Sequence, residues 1–443
     1  MSVVPPCFRQ YMNPKLIAAP APLLDLAKIL EIQKEDIRKL TDINYEVFPS
    51  PEMCRINENG EIVAASFSQL LLYLTNPEGT NLNFQDVFFT SFPMFSSPRM
   101  FLFGLFVRFF PCDCKKYPNI KVLRDRVISI IKRWSSKYFY QFDSNMKTAI
   151  EHFIIIAKDM SMPSCTIQVL HSIHDRLMER NDDIVRTIRE PPPMILPPDD
   201  PNSWTLVSIS PIELARQISL FYSKLFLSMK PSELLDALFG QKGTCSPHID
   251  QLVSHFSSLA NFVSLSVLMG ENDAQRSRFH SHWLEVADAF NNERNYNGLF
   301  SVISGLTHRS VSRLTKTVEK SLNSRSKRQK MELLCSICDI RSDFRNYREI
   351  LTSKAIEPCV PFFGCVHKDL VYIQEGFSNT VDGMINFKKC SASSKLIEIL
   401  SRFQNQGYFY SPNDRIQTLI QGLPPPTDSL ILMRISQSRE QKK

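Results

Sequence analysis

Three residues, His367, Val371 and Glu375, stand four apart near the end of PCVPFFGCVHKDLVYIQEG, residues 358–376. At helical period that spacing puts them on one stripe, with an apolar side chain one turn before a carboxylate. The stripe holds no nucleophile paired with a base, so covalent catalysis is not what it suggests. What it offers is a small wedge tipped by a carboxylate. Periodicity alone is equally satisfied by an ordinary surface helix.

The wedge needs an element to carry it. Pro358 and Pro361 hold the backbone extended, Gly364 releases it, and the pattern predicts a helix from about Cys365 to Glu375 with Gly376 as a left-handed cap. Val366, Leu370 and Ile373 form a second stripe, spaced to face a core.

Other chemistry is poorly supported. No phosphate-cradling Gly-Lys-Ser/Thr loop and no Gly-x-Ser-x-Gly elbow occurs, and 13 glycines leave few loops for binding nucleotide. Cys335 and Cys338, and Cys112 and Cys114, sit in apolar sequence and not in Gly-rich knuckles. His171, His174 and Asp175, and His280 with His282, read as solvated or packed side chains. The basic cluster Arg325, Lys327, Arg328 and Lys330 reads as a solvated loop between helices, not a nucleic-acid patch. No metal and no cofactor is expected.

The chain has 443 residues, 52 basic against 45 acidic, a formal charge of +7 that builds no long single-sign field. Its length exceeds one typical core, and 43% hydrophobic residues suffice for packed interiors. Eleven cysteines in no framework spacing, with no secretory leader pattern at the start, point to a reducing cytoplasmic setting. No apolar run is long enough to span a membrane, so membrane association is expected to be peripheral or borrowed from a partner.

Residues 1–50 read as an N-terminal extension with an apolar helical patch from Leu23 to Ile32. Residues 51–185 form a helical domain. Within it Ile62, Phe67, Leu70, Leu71 and Leu74 approach helical spacing, the aromatic run from Phe84 to Phe110 suits a buried core, and Val127, Ile130, Ile131 and Trp134 share a face. Residues 186–203, with EPPPMILPPDDPN, form a linker that is neither helix nor central strand. Residues 204–435 form a larger domain. It opens on a capping box, Ser210 to Glu213, followed by Leu214, Ile218, Phe221 and Leu225; Leu299, Val302, Ile303 and Leu306 repeat the pattern later. Residues 436–443 are a basic tail. The predicted class is all-α, two helical domains with a helical hairpin protruding from the larger.

PCVPFFG, then DL, QEG and INFKK at 385–389, resembles the signature of the catalytic domain of Ras-family guanine nucleotide exchange factors. The blocks at 210–235, 295–320, 344–351 and 403–410 fit the same order. The earlier half is similar to the Ras exchanger motif domain: a Gly-x-Ile opening at Gly60, a Phe-x-x-Leu helix ending in Leu-Thr, an Asp-x-x-Phe segment and a helix with Trp134 near its end.

The resemblance implies a guanine nucleotide exchange factor that inserts its hairpin into a Ras-subfamily small GTPase, binding best the nucleotide-free form. Val371 and Glu375 would be the catalytic pair, one entering the Mg²⁺ site, the other engaging groups that otherwise serve phosphate. Asn297, Phe362, His367, Lys368 and Tyr372 would bind the partner. The returning arm would run from about Met384 to Gln404, packed through Leu396, Ile397, Leu400 and Phe403, and the exchanger motif would brace it. Phe377 and the stretch KKCSASSK depart from the pattern common in the family. They keep open the alternative of a helical scaffold that binds a GTPase without opening it. The GTPase subfamily and the oligomeric state stay open as well.

Overall fold

Helices begin where a short polar side chain precedes an apolar run, because its oxygen accepts a first-turn N–H that has no partner within the helix. Ser66 accepts from Gln69, Ser97 from Met100, Asp143 from Met146, Ser210 from Glu213, Asn295 from Gly298, Ser324 from Lys327 and Asn413 from Ile416. The structure, a computed structural model, describes residues 21–41, 53–79, 81–111, 119–179, 191–239, 246–353, 358–404 and 406–440. The chain is all-α apart from one small sheet. It divides into two compact units, residues 1–185 with 373–395, and residues 186–372 with 396–443.

The helices of the first unit with eight residues or more are α1 (Ala21–Ile29), α2 (Lys34–Thr41), α3 (Phe67–Leu74), α4 (Leu82–Ser91), α5 (Pro98–Phe109), α6 (Ile120–Lys137), α7 (Ser144–Asp159) and α8 (Ser164–Glu179). The aromatic run is its core, as expected. Phe88, Phe89, Phe92, Phe101, Phe103, Phe106 and Phe109 are buried, and the Trp134 ring lies 5.5 Å from that of Phe92 and 4.6 Å from that of Phe101. Val127, Ile130 and Ile131 are buried beside it. The apolar patch of the N-terminal stretch belongs to the same core, through Leu23, Leu26 and Leu30.

Residues 62–65 correct the helical reading of that segment. Between the turn at Gly60 and the Ser66 cap, IVAA has room for only four residues, and it forms strand β2 (Ile62–Ala65) antiparallel to β1 (Cys54–Ile56). Strands β3 (Thr380–Val381) and β4 (Met384–Asn386) complete the sheet in the order β1-β2-β4-β3, with Ala64 opposite Asn386 and Ala65 opposite Ile385.

In the second unit come α9 (Pro211–Ser228), α10 (Pro231–Phe239), α11 (Pro247–Leu268), α12 (Asp273–Glu293), α13 (Tyr296–Thr307), α14 (Arg325–Ile337) and α15 (Arg345–Ser353). Two helices, α16 (Phe363–Gly376) and α17 (Phe387–Phe403), each cross the division between units; α18 (Asp414–Gln421) and α19 (Ser429–Arg439) follow. Leu299, Val302, Ile303 and Leu306 are buried on α13, which packs against α11 and α12. On α9 the buried face is Leu214, Ile218, Tyr222 and Phe226, so Phe221 and Leu225 stand at its edge, half-buried. The buried face is broad, taking in Ala215, Gln217, Ser219 and Ser223 as well.

Residues 191–200 are neither helix nor strand, as their prolines dictate, yet they are strapped to α9 and do not hang free. The Ile195 N–H donates to Glu213 at 3.1 Å and Arg216 Nη1 to the Pro193 carbonyl at 3.3 Å. The basic cluster read as a loop is the first half of α14, capped by Ser324, with Lys330 paired to Glu285 and Asp288. Cys335 and Cys338 end that helix, and burial pushes both thiols up. Cys112 and Cys114 lie outside the described residues. His280 is buried against Ser321 at 2.8 Å. Among the described residues, no three His, Cys, Asp or Glu side chains gather where they could hold a metal, and no helix is long and apolar enough to cross a membrane.

Candidate functional site

Backbone hydrogen bonds set the start of α16. Val360 forms a parallel bridge with Asn295, its N–H donating to the Arg294 carbonyl at 3.2 Å and its carbonyl accepting from Tyr296 at 2.9 Å. The Phe362 N–H donates to the Tyr347 hydroxyl at 2.7 Å, and the Phe363 N–H to Asn297 Oδ1 at 3.3 Å. The Phe362 ring stacks on Phe300 with centroids 3.8 Å apart and planes 8° off parallel. Gly364 makes that possible: a Cβ there would collide with the Phe362 ring. Its service is room for a ring, beyond the release of the backbone read from sequence.

The helix begins at Phe363, two residues earlier than the pattern suggests, and Val366, Leu370 and Ile373 are buried as their spacing requires. Gly376 does not take the left-handed cap. The Phe377 N–H donates to the Ile373 carbonyl at 3.2 Å, so the ordinary helical bond continues past Gly376. Positive φ falls later, at Asp382 (49°) and Gly383 (76°), the two-residue turn joining β3 to β4. That Asp-Gly pair between apolar residues is a sequence signal for the small hairpin which the reading above passed over.

Residues 378–390 are fixed in the first unit. Asn386 Nδ2 donates to the Ser378 carbonyl at 2.9 Å, Lys389 Nζ to Asn379 Oδ1 at 2.7 Å, and the Phe387 ring stacks on Phe84 at 5.0 Å. Burial lowers the Lys389 pKa, and Phe387 and Cys390 join the aromatic core. The returning helix starts at Phe387, because residues 384–386 are spent on β4; Leu396, Ile397 and Leu400 are buried and Phe403 half-buried.

The candidate stripe runs along α16. His367 and Glu375 are exposed, Val371 is half-buried and Tyr372 is 71% exposed. Glu375 has no ion-pair partner among the described residues. Lys368 does: its Nζ lies 2.9 Å from Asp343 Oδ1 and 5.3 Å above the Phe344 ring. Phe362 is mostly buried but contributes to the wall of a cavity of about 740 Å³, with Phe256, Phe300, Ile303, Ile340 and Arg341 also lining it. Asn297 is fully buried, its side chain beside the Tyr222 hydroxyl. Asn297 thus lies beneath the surface where it was expected, its Oδ1 accepting from the Phe363 N–H. The stripe and the cavity thus rest on the same few residues at the start of α16. Arg348, Asp343 and Asp369, which meet beside α16, were not singled out by sequence. Arg348 and Asp369 stand 21 residues apart, and no periodicity links them.

Comparison with known proteins places two family matches on this framework. The RasGEF domain matches residues 213–391, and the RasGEF N-terminal motif matches residues 61–156. The chain is similar to Ras guanine nucleotide exchange factor A of Dictyostelium discoideum, 25% identical over 397 residues that cover 86% of this chain and 64% of that protein. Factor B of the same organism is 25% identical over 466 residues, 91% of this chain and 30% of that protein; factor S is 26% identical over 393, covering 83% and 37%. The chain therefore spans between about a third and two thirds of these relatives' length.

Proposed function

The chain belongs to the family of Ras guanine nucleotide exchange factors that join a RasGEF N-terminal motif to a RasGEF domain, and we propose that it releases nucleotide from a Ras-subfamily small GTPase by inserting the α16–α17 hairpin. A small GTPase holds its nucleotide with backbone N–H groups and a Lys around the phosphates, while Mg²⁺ bridges phosphate oxygens. Release is slow because these interactions are lost together. A catalyst speeds it by stabilising the state in which they are already broken.

In that state Val371 takes the space and ligands of the Mg²⁺, and the Glu375 carboxylate accepts from donors that phosphate has left, which would be costly to leave unpaired. No covalent bond is made or broken. The nucleotide-free GTPase is the form bound best, and excess GTP reloads it. His367 and Tyr372 meet the partner directly on the exposed flank, and the cavity lined by Phe300 and Phe362, with Glu332, Asp339 and Arg341 among its polar residues, receives one of its side chains.

Glu375 is the observation that carries this reading. A carboxylate in the last turn of a helix opposes the helix dipole, and this one is exposed with no cation against it among the described residues. Folding gains nothing from it. Its position is explained by a group outside this chain.

The test is release of a fluorescent guanine nucleotide from a panel of Ras-subfamily GTPases, with wild-type protein and Glu375→Ala side by side. Acceleration on one or two members that falls at least about tenfold in the variant is the expected result. Binding to nucleotide-free GTPase with no acceleration on any member would sink the exchange reading in favour of a scaffold.

A further inference from the structure

Beside α16, two acids and two bases of the second unit form one connected cluster. Arg348 of α15 grips Asp369 with both ends of its guanidinium, Nη2 to Oδ1 at 2.7 Å and Nη1 to Oδ2 at 3.0 Å. Its Nε donates to the Asp343 carbonyl at 2.9 Å, and Lys368 pairs with the Asp343 carboxylate. The Lys368 hydrogen bond holds the Asp343 carboxyl below the usual range, and the Asp369 hydrogen bond raises the Arg348 pKa.

Lys368 and Asp369 are neighbours on α16, so their side chains leave the helix about 100° apart. Val366, Leu370 and Ile373 seat the helix against the core, and two polar fasteners at different azimuths oppose the small rotations that apolar packing still allows. Val371 and Glu375 follow within two turns, so the azimuth fixed at Lys368 and Asp369 is the one they inherit.

The other half of the cluster is built at a conformational cost. Ser342, Asp343 and Phe344 have φ of 52°, 57° and 57°, three successive residues other than glycine in the left-handed region. Such a run persists only where its surroundings over-determine it. The same turn continues from Asp339, Ile340 and Arg341, which line the cavity, Ile340 being 66% exposed.

We propose that Arg348 and Asp343 are positioning residues for nucleotide exchange, forming with Lys368 and Asp369 a clamp that sets the rotation of α16 and so the aim of Val371 and Glu375. Arg348 and Asp343 act through α16 and not by contact with nucleotide or GTPase. It rests on the exchange reading above and adds to it the device that aims the wedge. Because it acts on the step after docking, its loss lowers the maximal rate of release and leaves the GTPase concentration for half-maximal rate in place.

The experiment uses the full chain with Arg348→Lys, Arg348→Met, Asp369→Asn and the Arg348→Met/Asp369→Asn double variant. Release rates at saturating GTPase are expected to fall about tenfold in Arg348→Met and Asp369→Asn, with the half-saturating concentration within about twofold of wild type. Arg348→Lys keeps the charge but not the fork, and falls between. The double variant is expected to be no worse than the worse single, as for two ends of one contact. In the protein alone, amide hydrogen exchange across residues 367–374 should quicken in the same order. Asp343→Asn, whose side chain is 59% exposed, serves if the Arg348 variants do not fold, and should slow release about threefold. Wild-type activity with unchanged release and unchanged amide protection in the variants sinks the clamp alone, as does a change confined to half-saturation. A wild-type protein inactive on every GTPase overturns the exchange reading and the clamp with it.

Discussion

At the scale of single residues, α16 separates groups that hold the fold from a group that does not. Gly364 is of the first kind. In Gly364→Ala the new methyl must displace the Phe362 ring from Phe300, an overpacking change expected to cost about 1–3 kcal/mol. Chemical denaturation of the second unit measures it, and an unshifted midpoint would mean the ring yields freely. Glu375 is of the second kind. Glu375→Gln removes a charge from the wrong end of a helix dipole, so its melting temperature should equal or slightly exceed that of wild type while nucleotide release is lost. A clear fall in melting temperature would show that the carboxylate has a structural partner after all. His367, Val371 and Glu375 were legible because a period of 3.6 needs only spacing. Asn297 was misjudged at the surface, since a helix N-terminal residue can face either solvent or core, and only its neighbours Phe363 and Tyr222 decide which.

At the scale of elements, β3 and β4 convert the link between α16 and α17 into part of a sheet. The register Thr380 to Ile385 is set by the two-residue turn at Asp382 and Gly383, where positive φ is required at both positions, and β4 then pairs with β2 with Ala64 opposite Asn386. A β-branched residue adopts that region poorly. Gly383→Val is expected to cost the first unit about 1–2 kcal/mol and to lower nucleotide release, as read by calorimetry of that unit and the release assay together. Intact stability with intact release would show that the turn is dispensable. Helices proved easier to foresee than these strands. The Phe84 to Phe110 core follows from composition and period, and the cap at Ser210 from a single hydroxyl. Strands of two to four residues carry too few alternations to register, and the partner of β4 lies more than 300 residues away in sequence. The basic cluster misled for a related reason: its charges suggested solvent, while Lys330 pairs with acids on α12, beyond the reach of any local pattern.

At the scale of the whole molecule, the second unit carries a pH dependence that the first does not share through the same groups. His280 and His282 stand two residues apart on α12, and burial pushes both pKa values down to about 4. Burial therefore keeps both neutral in the folded protein well below pH 6: His280 sits against the Ser321 hydroxyl, and the Leu206 backbone beside His282 favours the protonated ring without overcoming its burial. In the unfolded chain each takes a proton near pH 6.5. Between those two values the unfolded state binds more protons, and stability rises with pH there. The contribution is complete above about pH 6.5 and is lost as the pH falls toward about 4, on the order of 3 kcal/mol for each histidine. A melting profile followed by calorimetry from pH 7.5 to 4.5 should therefore show the second unit's transition falling steeply below pH 6.5. His280→Asn can keep a hydrogen bond to Ser321 without a titrating ring, so it should flatten part of that slope, which burial of His255 and His308 also feeds, even where it lowers stability at pH 7.5. An unchanged slope in His280→Asn would mean that His280 is protonated in the folded protein as readily as in the unfolded chain, and that the burial of α12 does not govern the acid response.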